Sequence, residues 1–276
     1  MRNTLALRTV PAAYVHLGDR AVHFLHTGAT TLPGSVPALD RGQLFVFLHC
    51  AGGCAALWQR QLRGLGAEHS VVALDLPAHG RSSGVEGVAT VEAGVELLTQ
   101  FVDALRLRPF ILVGHSFGAT LALAFAARRA ARLRGLVLAG VGPKPDLTNA
   151  LATLRQVVMG RLPQQFSPEF FSPQTAPDLM REFFMAYVTT DPRVRLTDLE
   201  AAHGYDCLAD CGGVTLPTLV IAGVDDRVAP PDHSAAVAQA IAGARFETIS
   251  AAGHAVAIEQ ADAFNTLLTQ FAAGLA

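Results

Sequence analysis

Gly114-His115-Ser116-Phe117-Gly118 stands between two apolar runs of different character. Before it comes Phe110-Ile111-Leu112-Val113, which reads as a buried parallel strand; after it comes the small-residue run Ala119 to Ala127, which reads as a helix. A serine flanked at two residues' distance by glycines, at a strand-to-helix junction, marks a very tight turn. Side chains at 114 and 118 would collide with neighbouring backbone, and glycine relieves that. The serine is left exposed at the C-terminal edge of its strand.

Two further segments end the same way. Pro217 to Gly223 is a second buried strand running into Val224-Asp225-Asp226, and the strand Arg245 to Ile249 leads to Ser250-Ala251-Ala252-Gly253-His254. In an open parallel sheet, strand C-termini share one rim, where ligands bind. Ser116, a carboxylate of the 225–226 pair and His254 are therefore expected to converge: nucleophile, orienting acid and general base. The pattern alone leaves both Asp225 and Asp226 open.

At this point the chain resembles the α/β-hydrolase superfamily, in its branch of small serine esterases, lactonases and carbon–carbon bond hydrolases. Four segments from about Tyr14 to Phe271 carry the resemblance: Leu48-His49-Cys50-Ala51-Gly52-Gly53, Asp75-Leu76-Pro77-Ala78-His79-Gly80-Arg81-Ser82, the Ser116 turn, and the Asp226 and His254 loops. It implies a mostly parallel eight-stranded sheet with helices on both faces. It favours Asp226 as the acid, three residues after Gly223. It implies an oxyanion hole from the N–H groups of Ala51 and Phe117. Cys50 stands where the superfamily generally has glycine, which places a thiol beside the site. His115 stands where carbon–carbon hydrolases often have Asn. Serine at 116 argues against the dehalogenase and epoxide hydrolase chemistries, which use Asp there. Asp75 and Arg81 are expected in a surface-stabilising loop, and His49 and His79 as scaffold residues.

The strand-helix alternation breaks once, across 142–210. That segment reads as short helices broken by Pro163, Pro168, Pro173, Pro177 and Pro192, and it holds five of the fifteen Phe, three of the four Met and two of the three Tyr. An insertion of this length is not a bare loop. Residues 1–141 and 211–276 are expected to form the core and 142–210 a helical cap. Phe183, Phe184, Met185, Cys50 and Val141 are candidates to line a substrate pocket, with His203 a further one. Phe166, Phe170, Phe171 and Met180 join cap to core or contribute to that lining.

Composition narrows the partners. Net charge is −2, with no basic block, so neither nucleic acid nor an anionic membrane is implied. No apolar run reaches the roughly 18 residues of a membrane span, and Met1 to Arg8 is too short in apolar residues for a secretory signal. A cytoplasmic location is expected. Cys50/Cys54 and Cys207/Cys211 read as small buried thiols rather than a zinc site. No metal or cofactor is called for. The expected activity is hydrolysis of a small apolar carboxylic ester, with a lactone, thioester or carbon–carbon bond as alternatives and a binding protein of little turnover as a third reading.

Overall fold

The computed structural model describes residues 10–29, 35–164 and 167–275. Phe166, named above, lies outside the described residues, as does the Met1–Arg8 segment.

Eight strands form one sheet in the order β1-β2-β4-β3-β5-β6-β7-β8. They are β1 (Ala12–Leu17), β2 (Arg20–His26), β3 (Leu44–Leu48), β4 (Ser70–Leu74), β5 (Phe110–His115), β6 (Leu133–Ala139), β7 (Thr218–Gly223) and β8 (Arg245–Ile249). β1, β2 and β4 pair antiparallel, while β4, β3, β5, β6, β7 and β8 run parallel. The central strands Leu-Phe-Val-Phe-Leu and Phe-Ile-Leu-Val-Gly-His are buried at every position. They read as continuous apolar runs because helices cover both faces of a parallel sheet. β1, at an edge, alternates exposed and covered residues instead.

Helices α1 (Gln59–Leu65), α2 (Val91–Ala104), α3 (Phe117–Arg129), α4 (Thr148–Val158), α5 (Pro177–Val188), α6 (Pro192–Ala202), α7 (Cys207–Cys211), α8 (Pro231–Ala240), α9 (Val256–Glu259) and α10 (Ala261–Ala273) complete the order. Two buried clusters flank the sheet. One is built on Val46, Leu112, Leu138 and Val220 with α2 and α3, the other on Phe47, Val113, Val137 and Ile221 with Trp58 and α10. Those residues alternate along each strand, as the pleat requires. A 3₁₀ turn over Ala55–Trp58 precedes α1.

Between β6 and β7, residues 142–210 carry α4, α5, α6 and most of α7, which crosses the boundary expected at 210. Pro177 and Pro192 open α5 and α6 at their first turns. Proline has no N–H to give and its φ suits that position, so these two prolines start helices. A third cluster, Cys50, Leu57, Phe171, Phe183, Ala255 and Ile258, joins α5 to the strand-end loops.

Candidate active site

Ser116 follows β5 directly and precedes α3, with φ 55° and ψ −118°. A serine rarely adopts such a conformation, and surrounding contacts must hold it there. The Ser116 N–H donates to the carbonyl of Ala139 on β6 at 2.8 Å, and the Ser116 carbonyl accepts from Ala119 and Thr120. The flanking glycines are sterically required. A Cβ at 114 would stand 2.2 Å from the Gly118 carbonyl oxygen, and one at 118 would stand 2.5 Å from that of Leu48.

His254 and Asp226 meet at the same rim. Nδ1 of His254 lies 2.8 Å from Oδ2 of Asp226, and both side chains are buried. Oδ1 of Asp226 accepts from the N–H groups of Val228 and Ala229, each at 2.8 Å. Burial opposes ionisation of Asp226, but His254 and those two N–H groups outweigh it and hold the carboxyl below its usual range. A carboxylate at Nδ1 fixes the tautomer with the proton on that nitrogen, leaving Nε2 as the basic atom. Nε2 is buried and has no hydrogen-bond partner among the described residues.

Asp225 goes elsewhere: its N–H donates to Ala252 at 2.8 Å, and its Oδ2 accepts from the Ser172 hydroxyl at 2.6 Å. The paired aspartates thus have separate partners, one on the histidine and one on the 142–210 segment.

Three supports of the His254 loop had no signal in the sequence. The His254 N–H donates to the Phe170 carbonyl at 2.8 Å, and the Phe170 ring meets the imidazole edge-on at 5.1 Å. His115 Nε2 donates to the His254 carbonyl at 2.7 Å. Burial, with His254 adding to it, pushes the His115 imidazole down to about 3, so it stays neutral. Buried Glu259 accepts from Gly253 N–H at 2.9 Å, Ser172 N–H at 2.8 Å and the Thr175 hydroxyl at 2.5 Å. A polar residue in an apolar-patterned helix offers no local sign of the loop it will bind.

The loop after β3 starts against α3, where a Cβ at 118 would stand 2.5 Å from the Leu48 carbonyl oxygen and 2.6 Å from that of His49; Ala51 and Phe117 are both buried. His49 fixes that loop: its Nδ1 donates to the Cys50 carbonyl at 2.8 Å, and its Nε2 accepts from Leu76 N–H at 3.0 Å. Burial, then neighbouring His79, lowers His49 to about 4. The Cys50 thiol is pushed up to about 12, chiefly by burial. It lines a small cavity with His49, Leu57, Trp58, His115 and Phe183. All four cysteines are buried and unpaired.

The expectation of a surface role for Asp75 is corrected. Asp75 is 2 % exposed and accepts from Ala55 N–H at 2.6 Å and Arg81 N–H at 2.9 Å, with His23 at 2.7 Å. It is an interior hub that anchors the turn after the Ala51 loop. Met185 is also corrected as a pocket candidate. It is 56 % exposed, because two residues along a helix reverse direction and α5 turns Phe183 inward. His203 is exposed and accepts from Leu147 N–H at 3.1 Å, which removes it from the pocket as well. Phe183 is fully buried against Phe170, Phe171 and Tyr187, and Phe184 is half-buried. Val141 is buried in the core, its carbonyl accepting from Ser234 at 2.8 Å.

Helix α6 approaches this loop from the other side. His79 Nε2 lies 2.9 Å from Oδ2 of Asp198, and Oδ1 of Asp198 accepts from Val88 N–H at 2.9 Å. Arg195 lies on Gly52: a Cβ there would stand 2.8 Å from Cδ of Arg195 and 3.1 Å from the Tyr187 ring. No group of three or more His, Cys, Asp or Glu side chains among the described residues is disposed to hold a metal ion. No helix of the described residues is long and apolar enough to cross a membrane.

A profile of the Alpha/beta hydrolase family matches residues 45–267. The chain is 31 % identical over 253 residues to a 2-hydroxy-6-oxo-2,4-heptadienoate hydrolase of Pseudomonas putida, covering 84 % of this chain and 90 % of that protein. It is 30 % identical over 243 residues to a protein named carbamate hydrolase RutD of Variovorax paradoxus, covering 80 % and 88 %. Among solved structures, a thermophilic esterase from Thermogutta terrifontis superposes with a TM-score of 0.79 at 26 % identity, covering 93 % and 94 %.

Proposed function

The chain belongs to the alpha/beta hydrolase family, and on that footing we propose that it is a serine hydrolase cleaving a short-to-medium carboxylic ester through an acyl-enzyme on Ser116. The observation that carries this reading is the 2.8 Å contact of His254 Nδ1 with Asp226 at the rim that also bears the strained Ser116 turn.

In this reading His254 Nε2 takes the Ser116 hydroxyl proton as Oγ attacks the ester carbonyl. Asp226 holds the ring and stabilises the imidazolium that forms. The N–H groups of Ala51 and Phe117 receive the carbonyl oxygen as it gains charge. The imidazolium then gives its proton to the leaving alcohol. Water, deprotonated by the same nitrogen, attacks the acyl-enzyme and releases the acid. No cofactor is needed for either half.

Residues 142–210 act as the cap. Its Phe170 and Phe183 pack against the strand-end loops, and they make the surroundings of the ester apolar. A cap this short encloses only a short or medium acyl chain.

A second reading is kept because relatives carry other names. In that reading the bond cleaved is a carbon–carbon bond or a carbamate, the P. putida protein being named a 2-hydroxy-6-oxo-2,4-heptadienoate hydrolase and the V. paradoxus protein a carbamate hydrolase. Turnover of p-nitrophenyl esters of increasing acyl length separates these readings. Hydrolysis that rises over the first few carbons and then stops supports the ester reading. Measurable binding with no hydrolysis of any ester in the series removes it.

A further inference from the structure

Ser172, in the 142–210 segment, is fully buried and reaches two strand-end loops at once. Its hydroxyl donates to Oδ2 of Asp225 at 2.6 Å, on the loop that carries Asp226. Its N–H donates to Oε2 of Glu259 at 2.8 Å. Oε1 of the same carboxylate accepts from the N–H of Gly253, the residue before His254, at 2.9 Å. The Thr175 hydroxyl donates to Oε2 at 2.5 Å. Backbone closes the same joint, the Phe170 carbonyl accepting from His254 N–H at 2.8 Å and from Ala255 N–H at 3.3 Å.

The joint leaves no slack. A Cβ on Gly253 would stand 2.6 Å from the Phe171 carbonyl carbon, 2.7 Å from the Ser172 nitrogen and 2.8 Å from the Phe170 carbonyl oxygen. Residues 170–172 therefore lie directly on the histidine loop. A Cβ on Gly223 would meet the Gly253 carbonyl oxygen, so the loops of Asp226 and His254 also touch each other.

Chemistry singles out Glu259 in this joint. It is buried at the end of α9, and its three partners there are neutral donors: two backbone N–H groups and one hydroxyl. Burying a carboxylate is costly unless such bonds compensate it. Glutamine has the same size and no charge to bury, yet it cannot replace it. An amide has one acceptor oxygen, and its NH₂ would face the N–H of Gly253 or that of Ser172, whichever way it turned. A carboxylate presents acceptors to both sides.

We propose that Glu259 is a positioning residue for the catalytic base: it pins the His254 loop to residues 172–175, so that the imidazole is held against Asp226 only while that stretch of the 142–210 segment is docked. This rests on the serine-hydrolase reading and deepens it. The segment between β6 and β7 then assembles the base as well as covering the site, and Glu259 acts through Gly253 and His254.

The test uses three readouts on the full chain: steady-state hydrolysis of p-nitrophenyl esters, the rate at which diethyl p-nitrophenyl phosphate labels Ser116, and the far-downfield proton resonance of an imidazole Nδ1–H bound to a carboxylate. Asp226→Asn assigns that resonance by removing it. Glu259→Gln is expected to lower kcat about a hundredfold with KM nearly unchanged, the cost of a base misplaced by about 1 Å. The labelling rate should fall by the same factor, and the resonance should be lost. The double variant Ser172→Ala/Thr175→Val leaves Glu259 and the histidine loop intact. It should move all three readouts the same way, with kcat down on the order of tenfold, since the backbone N–H at 172 still binds Glu259.

A folded Glu259→Gln that loses only Tm, with kcat, labelling and resonance as in the native protein, overturns the proposal. So does a double variant indistinguishable from native, because the base would then be held without residues 172–175. If the native protein neither hydrolyses an ester nor takes the label, the serine-hydrolase reading fails, and the resonance decides the positioning by itself. Its loss in Glu259→Gln supports the proposal, and its persistence overturns it. Should Glu259→Gln not fold, the double variant carries the same decision.

Discussion

Nε2 of His79, on the loop after β4, lies 2.9 Å from Oδ2 of Asp198 on α6, and both side chains are fully buried. Nδ1 of His79 donates to the Pro77 carbonyl at 2.9 Å. With Nδ1 committed as a donor, a proton on Nε2 makes His79 a cation facing a carboxylate. Burial alone depresses an imidazole, but the hydrogen bond and charge of Asp198 overcome it, and His79 is held above the usual histidine value. Gly52 N–H stands 3.3 Å from the same Nε2, so loss of that proton exchanges a bond to α6 for one to the loop after β3.

The pair therefore stabilises the fold in a pH-dependent way. A group whose pKa is raised on folding contributes fully below its unfolded value, about 6.5, and its contribution is lost as pH rises through the folded value. The Tm difference between the native protein and Asp198→Asn should be largest below pH 6.5 and shrink at higher pH. Removing one partner of a buried pair costs about 3–5 kcal/mol. A difference that grows with pH contradicts the assignment.

Asp226→Asn should lower kcat by on the order of 10⁴, because the amide favours the wrong imidazole tautomer. Asp225→Asn should leave kcat within a few-fold and lower Tm modestly, since its carboxylate binds the Ser172 hydroxyl. Kinetics of the two variants side by side make the check. The reverse ranking would mean that the acid is Asp225.

The aromatic residues of the 142–210 segment divide by burial. Phe183→Ala empties a fully buried site and should cost about 3–5 kcal/mol of stability. Phe184→Ala should cost less. Each acyl methylene buried should raise kcat/KM about fourfold, from about 0.8 kcal/mol per CH₂. A variant that flattens this trend marks its residue as pocket lining, and one that lowers only Tm marks it as packing.

Burial pushes the thiols of Cys50 and Cys54 up to about 12 and about 11. Thiolates are the reactive form. Iodoacetamide at neutral pH should therefore leave both the native protein and its ester hydrolysis unchanged, and all four cysteines should label only after denaturation. Rapid labelling of Cys50 with loss of activity would contradict the buried thiol.

Local sequence shows most of the sheet and the rim. Strands such as β3 and β5 are runs of large apolar residues, and the Ser116, Asp226 and His254 loops each follow one directly. What was not legible depends on which segments meet. Glu259, His115 and the Phe170 carbonyl hold the histidine loop through partners as many as 139 residues away. Arg195 and Asp198 look like ordinary polar positions of a helix until α6 is laid on Gly52 and His79. The inward and outward faces of α5 separate Phe183 from Met185, although both belong to one aromatic-rich run.

The central claim is that Ser116 carries the acyl group, and mass spectrometry tests it most directly. Diethyl p-nitrophenyl phosphate should add one diethylphosphoryl group per chain, map to the peptide containing Ser116, and abolish ester hydrolysis in proportion to labelling. Folded Ser116→Ala should take no label and lose hydrolysis. A label on another residue, or native-like turnover by folded Ser116→Ala, would contradict the account.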